Sequence, residues 1–83
     1  MNNKITHETR NELLTVIKSL ILSDLPIEEM ESMAIIQLGV DSMALLQISF
    51  EFENIYSLKI DIDNIGSDTT VGNMIDNLIS IPE

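Results

Sequence analysis

Apolar residues recur at helical spacing in three stretches of the chain. In residues 6–22 they stand at Leu13, Val16, Ile17, Leu20 and Ile21, on one face of a helix. Thr6 and Thr9 are equally good caps for its start, Thr9 having Glu12 at capping-box spacing. Pro26 is expected to end it, because proline lacks the amide donor and biases the preceding residue away from the α region. The 17 residues from Asp24 to Val40 are long for a loop in a compact domain. Their apolar half, Met33, Ala34, Ile35, Ile36 and Leu38, must therefore rest on the core, with a short helical turn around Ile27–Glu31 and Gly39 closing the segment. Ser42 to Tyr56 contains no Gly or Pro and reads as a second long helix, with Asp41 and Ser42 as cap candidates. A short helical turn is expected at Asp61–Ile65, ended by Gly66. Thr69 and Thr70 then open a last helix in which Val71, Met74, Ile75, Leu78 and Ile79 share a face. The pattern predicts one all-α domain over residues 1–83, a four-helix bundle of three longer helices and one short one with a long loop between the first and second.

The second helix carries more apolar surface than a bundle position needs. On a wheel of about 100° per residue, Leu45, Ile48, Phe52, Ile55 and Tyr56 gather in an arc of about 100°, and Met43, Leu46 and Phe50 form another of about 60° on a different side. Either the helix is central and buried all round, or the second stripe is a face on which a partner docks.

Composition narrows the chemistry. Asp and Glu number 14 against 4 Lys and Arg, a net charge of -10, so phosphate backbones and anionic membrane surfaces are repelled. An apolar share of 45% argues against disorder despite that charge. The absence of cysteine removes disulfides, thiolate metal sites and a Cys nucleophile, and with His7 as the single histidine a His-based triad lacks raw material. No apolar run reaches membrane-spanning length, and the first residues lack the basic start and apolar stretch of a secretory leader. A soluble, cytoplasmic, monomeric domain is expected. Asp61, Asp63 and Gly66 fall short of a calcium loop, since position 5 is Ile65 and position 12 is Gly72. Gly39, Gly66 and Gly72 are too scattered for a phosphate-binding loop. Nothing here supports catalysis by the chain itself, so no catalytic residue and no metal ligand are assigned.

The run Gln37-Leu38-Gly39-Val40-Asp41-Ser42-Met43, followed by an apolar helix, resembles the acyl carrier proteins, in which a Leu-Gly-x-Asp-Ser-Leu motif carries 4′-phosphopantetheine as a phosphodiester on the serine. Ile60 and Thr70-Val71 stand where that family has its own apolar and Thr-Val positions, and the resemblance covers nearly the whole chain. It implies a bundle of the acyl-carrier type, Ser42 as the attachment point and Asp41 as the adjacent residue that helps a transferase position its metal and substrate. It also explains the missing thiol: the arm supplies the one on which acyl intermediates ride as thioesters. The implied partners are a phosphopantetheinyl transferase, a ketosynthase, an acyltransferase and other acyl-processing enzymes of a fatty-acid or polyketide-type pathway.

Two positions depart from the family pattern. Fatty-acid carriers place acids two and five residues after the serine, where Ala44 and Gln47 stand here, and charge returns only at Glu51 and Glu53. Docking is therefore expected to rest on Met43, Leu46, Gln47, Phe50 and Glu51, more through apolar contact than through salt bridges. Asp68 replaces an apolar residue ahead of Thr69, Thr70 and Val71. A peptidyl or D-alanyl carrier would share the same arm, and an unmodified acidic helical adaptor is the reading from a different class.

Overall fold

The computed structural model describes residues 5–82; the first four residues, part of the segment read for a leader, and Glu83 lie outside them. Four helices follow in order, α1 (His7–Ile21), α2 (Ile27–Glu31), α3 (Ser42–Tyr56) and α4 (Val71–Asp76). Two 3-10 turns, Ile35–Leu38 and Ile62–Asn64, and one antiparallel pair of short strands, β1 (Leu58–Lys59) and β2 (Ile79–Ser80), complete the fold. The all-α bundle expected from the pattern is present, with two long and two short helices. No described helix is long and apolar enough to cross a membrane.

Thr6 rather than Thr9 caps α1, its hydroxyl accepting the N–H of Thr9 at 3.1 Å. The helix ends at Leu22, whose left-handed backbone (φ 55°) turns the N–H of Ser23 onto the Lys18 carbonyl at 3.0 Å. Pro26 therefore does not terminate α1. It stands at the N-cap of α2, where its missing N–H costs nothing and its carbonyl accepts the N–H groups of Glu29 and Met30 at 3.1 and 3.0 Å.

The last helix is shorter than its apolar spacing predicts. Ile79 leaves the helical face because its backbone pairs with Lys59, while Ser80 pairs with Leu58 and the Ile81 N–H donates to the Ser57 carbonyl at 2.9 Å. Within the last turn, the Asn77 side-chain amide donates to the Asn73 carbonyl at 2.8 Å. The partner strand is distant in sequence, so local periodicity does not contain it. Leu78 still reaches the core.

Leu13, Leu14 and Ile17 of α1, Met30 of α2, Ile48 and Phe52 of α3, and Val71, Met74 and Ile75 of α4 form the core, which Ile35, Val40, Leu58, Ile60 and Leu78 close. Each such side chain contributes about 1.5–3 kcal/mol by leaving water. Phe52 is fully buried and meets the Tyr56 ring edge-to-face, centroids 6.4 Å apart. The Tyr56 hydroxyl donates to Glu12 at 2.9 Å, tying α3 to α1. Burial, and then the hydrogen bond and charge of Glu12, hold that phenol above the usual tyrosine range.

Arg10, two residues before Glu12 in α1, joins three helices. Its guanidinium pairs with Glu31 at the end of α2 and Asp76 at the end of α4, and reaches the Gly72 carbonyl at 3.4 Å. Burial pulls its pKa down, and the hydrogen bonds and charges of Asp76 and Glu31 more than offset this, so the group lies above its ordinary value. Gly72 permits the approach: a Cβ there would stand 3.2 Å from the Glu31 carbonyl oxygen and 3.1 Å from the guanidinium. Arg10→Met, which keeps most of the apolar stem, should cost about 1–2 kcal/mol in urea denaturation at neutral pH, the lower half of the range for charged hydrogen bonds because Asp76 is exposed. An unchanged midpoint would show that the clamp contributes nothing to stability.

Candidate functional site

The sequence ahead of Ser42 is held by long-range backbone bonds. The Ile35 N–H donates to the Thr69 carbonyl at 2.9 Å and the Val71 N–H to the Met33 carbonyl at 3.0 Å, a bridge centred on Ala34 and Thr70. Thr70 then caps α4 through the Asn73 N–H at 3.1 Å, which accounts for Thr70-Val71 as a unit: one residue pairs and caps, the next is buried. The Gln37 side-chain oxygen accepts the Ala34 N–H at 2.9 Å, and the 3-10 turn closes at Gly39, whose φ of 75° suits glycine. Val40 is buried, so the chain is anchored two residues before Ser42.

Asp41 is the N-cap of α3. Its Oδ1 accepts the Ala44 N–H and its carbonyl the Leu45 N–H, both at 2.9 Å. Ser42 is the first helical residue and is exposed. Among the described residues its hydroxyl has no hydrogen-bond partner, and the N–H groups of Ser42 and Met43 donate to none. A free hydroxyl therefore stands beside two free amide donors at the positive end of a 15-residue helix, an arrangement suited to a phosphate ester. Among the described residues no group of three or more His, Cys, Asp or Glu is placed to hold a metal ion. Asp61, considered for a calcium loop, accepts instead from the Asn64 side-chain amide.

The two stripes of α3 are separated in space. Ile48 and Phe52 are buried with Leu45 and Tyr56 half-buried beside them, whereas Met43, Leu46 and Phe50 are 73, 58 and 63% exposed. Measured from Phe52, these three lie about 120–180° round the helix, opposite the core. The all-round-buried alternative is thereby removed. Ile55 is a correction: expected in the inner stripe, it is exposed. Ile55 shares its angle with buried Ile48 but stands in the last turn of α3, just before the C-cap Ser57, so its place along the helix and not its face leaves it in water. Ser49 is a buried polar residue of the same helix, its hydroxyl facing the Ile60 N–H at 3.5 Å. Gln47 is exposed and Glu51 half-buried, on the flank of the bare face. Exposed Ile36, Ile62 and Ile79 were not legible as surface residues; the first lies in an apolar run and the last on the apolar face of the expected helix.

A family model described as the phosphopantetheine attachment site matches residues 13–78, about four-fifths of the chain. The chain belongs to that family. Its members bear 4′-phosphopantetheine covalently on a serine, so the protein is a carrier, which implies a phosphopantetheinyl transferase and acyl-processing enzymes as the general classes of its partners. No curated protein and no solved structure matches it. The residues present fit the group: an exposed, unengaged hydroxyl, two free N–H donors for the phosphate oxygens, and no Lys or Arg between Lys18 and Lys59 to hold the arm down. When bound, the arm supplies the thiol that the chain lacks. The chain's own residues orient the serine: Asp41 holds the first turn, and Val40 and the Ala34–Thr70 bridge hold Asp41.

Asp41→Ala should lower stability by about 1 kcal/mol through loss of the cap, and Asp41→Asn should restore most of it, as read by thermal unfolding. Equal losses in the two variants would show that the carboxylate's charge, and not its cap geometry, supports α3.

Proposed function

We propose that Ser42 carries the 4′-phosphopantetheine and that the protein delivers acyl intermediates, as thioesters on that arm, between enzymes of a fatty-acid or polyketide-type pathway, catalysing no step itself. The observation that carries the assignment is the pairing of a free hydroxyl with free helix-start amides. Among the described residues Ser42 is the one serine that opens a helix. Of the six other serines inside the matched range, Ser23 accepts from the Leu25 N–H, Ser32 donates to the Glu29 carbonyl, Ser49 is buried, Ser19 lies within α1, Ser57 ends α3 and Ser67 stands in a turn. The residues before Ser42 are anchored, so a transferase meets the hydroxyl in a fixed orientation. Asp41 keeps one oxygen on the Ala44 N–H, and its exposed carboxylate faces the approach of the metal-bound cosubstrate that such an enzyme brings.

Coexpression with a phosphopantetheinyl transferase should raise the intact mass by one prosthetic group. Ser42→Ala should abolish the gain and Ser67→Ala, on another exposed serine, should leave it intact. No gain with several transferases of different specificity overturns the proposal and leaves the acidic adaptor.

The bare face of α3 supports apolar docking of these enzymes. Ala44 and Gln47 provide no charge in the first two turns, and Met43, Leu46 and Phe50 provide uncovered apolar area. Phe50→Ala should raise the transferase KM about fivefold, the scale of a contact worth about 1 kcal/mol, and raising salt from low to physiological strength should change the wild-type KM less than that substitution does. A strongly salt-dependent KM that ignores Phe50→Ala would sink apolar docking.

A further inference from the structure

The chain holds five methionines and no cysteine, so the sulfur it brings of its own is thioether throughout. Met1 lies outside the described residues, and the other four differ sharply in their surroundings. Met30 and Met74 are buried in the core, Met33 is half-buried, and Met43 is 73% exposed. Access governs how readily a peroxide oxidises a methionine, and no thiol of the chain competes for the oxidant. Among the described residues Met43 is therefore the sulfur that a peroxide meets first.

Its position gives that reactivity a consequence. Met43 directly follows Ser42 in the first turn of α3 and belongs to the uncovered stripe with Leu46 and Phe50. Leu46 and Phe50 offer apolar area with no sulfur to oxidise. Met43 offers similar area in a form that one oxygen atom changes, at the place where the carrier motif has leucine, a residue of comparable volume. A sulfoxide carries a strong S–O dipole, and taking it into an apolar contact strips its water without supplying a partner. The fold does not depend on this side chain: Met43 is neither in the core nor among the apolar side chains packed against it, and the first turn is held by the bond from the Ala44 N–H to Asp41. Oxidation of Met30 or Met74 would act on the bundle instead, and burial shields both.

We propose that Met43 is a reversible oxidation site through which a hydroperoxide slows the loading of Ser42. The proposal rests on the carrier reading for its biological setting. With hydrogen peroxide, a lone pair on Sδ attacks one oxygen, an S–O bond forms as the O–O bond breaks, and the proton on the transferred oxygen passes to the departing hydroxide to give water. Sulfur loses two electrons and the peroxide gains them. The return step takes two thiols, which become a disulfide while the sulfoxide oxygen leaves as water, the reaction of methionine sulfoxide reductases. In the thioether form the face beside Ser42 docks; in the sulfoxide form the same face is polar at its end nearest the serine.

The test treats the full chain, before any arm is attached, with dilute hydrogen peroxide, removes the excess with catalase, and locates the added oxygen by digestion and mass spectrometry. Oxygen should enter Met43 first, Met33 more slowly, and Met30 and Met74 last. The singly oxidised chain should show a transferase KM raised about tenfold with an unchanged thermal midpoint, and a sulfoxide reductase with a dithiol should restore both mass and KM. Met43→Leu should have the same KM before and after peroxide, and Met33→Leu should respond as the wild type does. The proposal falls if Met30, Met33 or Met74 is oxidised ahead of Met43, if the Met43 sulfoxide loads with the KM of the untreated chain, or if Met43→Leu remains peroxide-sensitive. It also falls if the singly oxidised chain melts lower, since the effect is then on the fold. A chain that gains no prosthetic mass before oxidation overturns the carrier reading; one that loads equally well in both forms overturns this proposal alone.

Discussion

Two backbone hydrogen bonds, from the Ile35 N–H to the Thr69 carbonyl and from the Val71 N–H to the Met33 carbonyl, hold together the parts of the molecule on which everything near Ser42 depends. The connection between α1 and α3 runs from Leu22 to Asp41, too long to keep a fixed path on turns alone. Pairing it with the residues that open α4 gives it a partner for its amides and a fixed height against the core. Val40 can then be buried and Asp41 can cap, and α3 begins at a defined place. The same contact sets the entry of α4, so the serine and the far wall of the bundle share one support.

From this support follows the division of α3 into two faces. A domain of this size has one core, and α3 gives it Ile48, Ser49 and Phe52. With α1 and β1 packed against it, the opposite side stays uncovered, and that side carries Met43, Leu46 and Phe50. A helix with apolar groups on both sides lowers the solubility of a monomer unless something offsets it. The net charge of -10, with seven acids and no basic residue between Lys18 and Lys59, opposes self-association by repulsion between copies. Three of the four cations are accounted for in the structure: Arg10 is held by Glu31 and Asp76, Lys18 donates to the Leu25 carbonyl at 2.6 Å, and Lys59 stands in β1, paired with Ile79.

Much of the site was legible before the fold was in view, and for local reasons. Asp41 caps and Ser42 opens the helix because a short acceptor side chain ahead of an uninterrupted apolar run is a start signal that acts over three residues. α3 has the bounds that its lack of Gly and Pro predicts. Errors arose where the deciding contact was distant. Pro26 looked like a stop for α1, but left-handed Leu22 had already ended the helix, a conformation that nothing about leucine announces. Ile79 has the spacing of a core residue but its backbone pairs with Lys59, and Ile55 has the angle of buried Ile48 but lies in the last turn of α3.

Sequence by itself determined the quantities that depend on neighbours along the chain: about where α3 starts, that Asp41 or Ser42 caps it, how acidic the domain is and that it has no thiol of its own. It also carried both stripes of α3, since periodicity needs only spacing. Tertiary structure alone decided which stripe met water, that α4 stopped at Asp76, and that Met43 stood exposed while Met30 and Met74 were buried. The physical reason is that burial and strand pairing are properties of residues brought together by the fold: Lys59 and Ile79, or Ala34 and Thr70, exert no influence on one another until the core has placed them side by side.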